Sequence, residues 1–163
     1  MKNIPIPPFL AHLPTHNGMP IPATVFIAEN GVPDFRVTDI AKWERIVCER
    51  CCGVCGKPLG ETICFIGGEK SMASGFFFDM AMHEECAEFS AKVCPFIALG
   101  RSYSTRSLPK DATEIVSIPN VNADRMGILK CSNYRCVLFP DDNIYLQAMG
   151  EKRITWIERK EAA

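Results

Sequence analysis

Histidine is scarce in this chain: 163 residues contain three, at positions 12, 16 and 83. That shortage leaves little material for a histidine base beside a histidine-built catalytic metal face. No GxxxxGK[ST], GxSxG or HExxH pattern occurs, which removes the phosphate-cradling loop, the hydrolase nucleophile elbow and the zinc-protease helix. An excess of one charge is also missing, since 18 basic residues face 19 acidic ones. A general electrostatic pull toward nucleic acid or an anionic membrane is therefore unsupported. No apolar run approaches the roughly 18 residues that a membrane span needs. The opening Met1-Lys2-Asn3-Ile4-Pro5-Ile6-Pro7-Pro8 carries prolines where a signal peptide needs a helical apolar stretch. A soluble, cytoplasmic protein without membrane partners is expected, its cysteines reduced and used for metal rather than for disulfides.

Nine cysteines and 47% hydrophobic residues are what the chain does have. The length suits one domain with an irregular arm. Residues 1–22, with six prolines, are expected to run extended and polyproline-like over the body. Residues 23–163 are expected to form a single α+β domain. A strand over 23–28, the turn signal Asn30-Gly31 and a returning strand over 34–37 read as a hairpin. Thr38 or Asp39 caps a helix to about residue 50, with Ile40, Trp43 and Val47 on one face. Strands over 61–66 and 75–78 flank a Gly67-Gly68 turn. A helix capped by Asp79 runs over 80–93 and ends before Pro95. Beyond a polar loop over 100–113, strands are expected at 114–118, 126–131, 134–139, 143–148 and 153–158, antiparallel because they are short and separated by turn residues.

Cys52-Gly53-Val54-Cys55-Gly56 and His83-Glu84-Glu85-Cys86 are the most informative stretches. Two pairs of ligands, each with two residues between, match what tetrahedral zinc requires. The first pair lies in a glycine-flanked turn. The second shares one face of a helix start, where the helix dipole favours a thiolate. The predicted ligands are thus Cys52, Cys55, His83 and Cys86, inside a zinc segment over 50–95. Four protein ligands close the shell, so the Zn2+ is structural. Cys48-Glu49-Arg50-Cys51 is an alternative first pair, disfavoured because Cys48 falls at a helix end. A redox role for either CxxC would want a βαβ neighbourhood, which is lacking. Cys64, Cys94, Cys131 and Cys136 read as small packed hydrophobes; Cys131 and Cys136 as a second metal pair have no histidine or CxxC to support them.

The order knuckle, strand, turn, strand, helix over 50–95 resembles the treble-clef zinc fold. More widely, Pro33-Asp34-Phe35-Arg36-Val37, the CxxCGxxLG stretch over 52–60 and the HxxCAxxxxxxCP stretch over 83–95 resemble a group of uncharacterised bacterial and phage zinc proteins. The resemblance covers roughly residues 30–100 and implies the zinc ligands and a bacterial or phage origin, with no activity attached.

Some treble-clef scaffolds are HNH-type nucleases, which need a histidine base and further ligands for a catalytic ion. Here Phe76-Phe77-Phe78-Asp79 precedes the helix without an Asp-His pair, and Pro14 breaks helical geometry between His12 and His16. No catalytic residue is assigned. Asp141 and Asp142 read as turn residues. Arg101, Tyr103, Arg106 and Lys110 interleave cations with an aromatic ring, a composition able to grip phosphates and stack a base. The expected function is a non-enzymatic, zinc-stabilised protein that presents a surface to a protein partner. Nucleic-acid binding through 101–110 and an HNH-like nuclease are the alternatives.

Overall fold

A computed structural model describes residues 4–100, 123–140 and 142–159. The protein is α+β with antiparallel strands, and among the described residues four α-helices occur rather than the expected two. Contacts group these residues into two compact units, one running to Pro58 and the other built from Leu59 onward.

The first unit opens on a 3-10 turn, Pro8–Leu10, in which Pro8 starts the turn and Leu10 is fully buried. A small hairpin follows, β1 (Thr15–His16) with β2 (Met19–Pro20). The arm is therefore more structured than its prolines suggest, because Leu10, Pro20 and Ile21 are buried. Strands β3 (Val25–Ile27) and β4 (Pro33–Thr38) pair with a register shift between Val25 and Phe26. Their connection is longer than a two-residue turn: Ala28 N–H donates to Val32 O and Gly31 N–H to Ala28 O. Asp34 accepts from the Arg36 guanidinium, whose hydrogen bonds hold that carboxyl below the usual range. Helix α1 (Ile40–Cys48) starts where Asp39 accepts from Lys42 N–H at 3.1 Å, an N-cap that satisfies one orphan donor. It buries Ile46 and Val47.

The second unit contains β5 (Ile63–Gly68), α2 (Glu69–Ser74), β6 (Phe76–Phe77), α3 (Glu84–Val93), α4 (Pro95–Leu99), β7 (Met126–Cys131), β8 (Asn133–Leu138), β9 (Ile144–Met149) and β10 (Arg153–Trp156). Where Gly67-Gly68 was expected to turn a hairpin, α2 forms instead. Its Met72 is buried, and Gly75 N–H closes the last turn on Ser71 O. Gly67 itself permits close packing, since a Cβ there would stand 2.8 Å from Ser71 Cβ and 2.9 Å from the Phe77 ring. The strands on either side of α2 accordingly join different sheets, ordered β10-β7-β5 and β6-β9-β8.

Those two sheets meet through aromatic rings. Phe65 on β5 stacks on Phe77 of β6 at 4.7 Å and meets Tyr134 of β8 edge-on at 5.9 Å. Leu129 and Leu146, also fully buried, complete this core. Residues 63–67 are buried in succession, the mark of a strand covered on both faces. The opposite face of that sheet carries Lys130, which pairs with Glu84 on α3. The C-terminal strands agree with the sequence expectation to within one or two residues. Strand candidate 114–118 lies outside the described residues.

Candidate metal centre

Cys52 and Cys55 sit on a turn that folds back on itself. Cys52 N–H donates to Lys57 O and Gly56 N–H to Cys52 O, both at 2.8 Å, while Cys51 bridges Pro58. Gly56 closes the turn at φ +73°, and a Cβ there would stand 3.3 Å from Ala23 Cβ. Glycine answers both demands.

The turn also leaves three carbonyls needing donors, and residues far upstream supply them. Thr24 Oγ1 donates to Gly53 O at 3.3 Å, Ala23 N–H to Val54 O at 2.9 Å, and His12 Nε2–H to Cys55 O at 2.9 Å. No local pattern in the sequence announces these braces, because each bond links positions more than 25 residues apart. Thr24 is buried, so Thr24→Val leaves the Gly53 carbonyl without this donor. A loss of about 1 kcal/mol is expected in urea titrations of metal-loaded protein, with Thr24→Ser close to wild type.

The other two ligands stand at the start of α3. The helix begins four residues later than the spacing suggests, with His83 rather than a residue near Asp79 at its N-cap. The cause is a reciprocal backbone pair between Cys64 and Met82, at 2.8 and 2.9 Å, which holds residue 82 extended. Ala87 N–H then donates to His83 O and the first turn closes. His83 and Cys86 thus share the N-terminal turn, where N–H groups that lack an intrahelical acceptor and the dipole favour a thiolate.

The four ligand atoms of Cys52, Cys55, His83 and Cys86 all lie within 4.8 Å of one another. A tetrahedral ion with Zn–S bonds near 2.3 Å sets its sulfurs about 3.8 Å apart, so the four approach coordinating distance. Among the described residues this is the one group of three or more His, Cys, Asp or Glu side chains that could hold a metal ion. Cys52 and Cys86 are fully buried and Cys55 nearly so. Three sulfurs and one imidazole form a donor set suited to a borderline-soft divalent ion.

The remaining cysteines take no part in that group. Cys48 is exposed at the end of α1, and Cys51 points its thiol to Glu49 O. Burial pushes the Cys64 thiol up to about 12 and raises that of Cys131, keeping both protonated and inert. Cys131 and Cys136 lie on strands of different sheets. None of the nine cysteines forms a disulfide.

His16 lies in β1 opposite Met19, whereas His12 contacts the cysteine turn. Arg101, Tyr103, Arg106 and Lys110 fall outside the described residues, as does Asp141. Among the described residues no helix is long and apolar enough to cross a membrane. Compared with protein-family models, with curated proteins and with solved structures, the chain matches none.

Proposed function

We propose that Cys52, Cys55, His83 and Cys86 hold a structural Zn2+ in a treble-clef-like centre. In this reading the protein is a non-enzymatic interaction protein of bacterial or phage origin that presents a surface to a protein partner. The observation that carries it is the closed donor set: four protein ligands converge, which fills a tetrahedral shell and leaves no position for substrate or water. The treble-clef likeness rests on the two ligand-bearing pieces, a tight cysteine turn and a helix N-terminus. The intervening hairpin of that fold is replaced here by β5, α2 and β6. The bacterial or phage origin rests on the resemblance of the two cysteine motifs.

A protein partner is favoured by the β3–β4 hairpin. Ile27, Val32 and Phe35 are each more than 40% exposed, and all three belong to this hairpin, with Ile27 opposite Pro33 near its tip. Three exposed apolar side chains on one hairpin suit a protein surface better than a phosphate backbone. The test is affinity capture with the tagged full-length protein from a lysate of its source organism, comparing wild type with Phe35→Glu. The expected result is a co-purifying protein that wild type retains and Phe35→Glu loses, while metal content stays equal. Identical captures by the two proteins, or retention on DNA with no protein captured, would overturn the reading.

A further inference from the structure

Strand β10 is the outer strand of its sheet, paired with β7 on one side and with no other strand among the described residues. All four of its residues are exposed, including the large apolar side chains of Ile154 and Trp156. Arg125 lies over the Trp156 ring at 4.2 Å. The ladder continues past the strand, because Ile157 N–H donates to Met126 O at 2.9 Å. Hydrogen-bonded pairs alternate along an antiparallel ladder, so Arg153 and Thr155 join Ile157 in bonding to β7. The N–H and C=O groups of Ile154 and Trp156 consequently point outward. Edges of this kind are usually blunted by proline, a bulge or an inward charge, and β10 has no proline, no register shift and apolar side chains at both outward positions.

The flanking residues specify what fits against this edge. From Glu151 to Arg159 the chain reads E-K-R-I-T-W-I-E-R. Turned about a two-fold axis through Thr155 and laid antiparallel on itself, this segment sets Ile154 against Trp156 and Lys152 against Glu158. It also sets Glu151 against Arg159. The outward backbone groups then meet in hydrogen-bonded pairs, and symmetry repeats each ion pair twice. The neighbouring registers that keep this hydrogen-bond phase are worse. An axis at Ile154 matches no opposite charges, and one at Trp156 sets Arg153 against Arg159. Arg159 also donates to the carbonyls of Ala123 and Asp124, and Glu151 pairs with Arg153 in its own chain. The charge match therefore rests chiefly on Lys152 and Glu158, both exposed.

We propose that β10 is a self-association edge, through which two copies of this chain join their β10-β7-β5 sheets as a two-fold antiparallel dimer. The inference does not depend on the metal or on the partner proposed above. Sedimentation velocity of the full-length, metal-loaded protein tests it, over a concentration series reaching hundreds of micromolar. A concentration-dependent dimer in the micromolar range is expected, in keeping with a small interface of this kind. Lys152→Glu places like charges in both symmetric pairs and should weaken the dimer roughly tenfold, as should Glu158→Lys. The double reversal, Lys152→Glu with Glu158→Lys, restores the match and should return the constant to within about threefold of wild type. Both side chains are exposed, so circular dichroism of each variant should equal that of wild type. A monomer at every concentration, a dimer indifferent to the single reversals, or a double variant as weak as either single one would overturn the proposal.

Discussion

Cys86→Ser is expected to abolish tight metal binding and with it the cooperative unfolding transition. Freshly purified wild type should carry one zinc per chain by elemental analysis, and the variant well under half that. The size of the effect follows from the free energy of a structural zinc site, about 10 kcal/mol or more in small domains at neutral pH. Native proteins hold only about 5–15 kcal/mol in total. Loss of one thiolate also leaves three ligands around an incomplete shell, and without the ion the remaining thiols take up protons and lose their common bond. A chelator should do to wild type what the substitution does, and added zinc should reverse it. Acid should act in the same direction, since thiolates and imidazole bind metal only when deprotonated. Cobalt offers a second readout: a cobalt-loaded wild type should show thiolate-to-metal charge transfer that weakens in Cys86→Ser. Cys48→Ser and Cys136→Ser should leave metal content unchanged, because neither thiol belongs to the converging group. Zinc retained at full stoichiometry by Cys86→Ser would refute the ligand assignment.

The second large effect lies in the aromatic core. Phe65→Ala is expected to destabilise the protein by about 3–5 kcal/mol in denaturant titrations of the zinc-loaded form. Phe65 is completely buried, stacked on Phe77 and edge-on to Tyr134, so its removal opens a cavity where two sheets meet. Neighbouring β-strands are held by their ladders and can close only part of that space. Phe65→Leu keeps most of the volume and should cost less than half as much. Metal content should remain at one per chain in both variants, which separates packing loss from loss of the centre. A Phe65→Ala protein within about 1 kcal/mol of wild type would show that the rings do not carry the core.

Why the four residues of the candidate metal cluster were legible while their supports were not is a matter of sequence distance. Cys52 and Cys55, and likewise His83 and Cys86, are local pairs whose spacing reflects a single turn of backbone. Their helix context was legible too, apart from its start, since the bond between Cys64 and Met82 that delays α3 joins residues 18 apart. The braces from His12 and Thr24 to the cysteine turn carry no local signature, because a lone histidine or threonine reads the same whether it is solvated or bonded. Helix α2 was missed for a related reason. Gly67-Gly68 has the composition of a turn, and only contact with Ser71 and Phe77 explains why glycine is needed in a strand end that leads into a helix.

From its residues alone, the chain determined its α+β character, a helix cap at Thr38 or Asp39, the positions of most strands and the four metal-ligand candidates. Each of these is set by periodicity, capping or spacing within about a dozen residues. Tertiary structure decided which strands share a sheet, how many helices form, where α3 begins and which of the nine cysteines converge. Those outcomes depend on hydrogen bonds and packing between segments far apart in the chain, whose geometry exists only once the backbone has closed on itself.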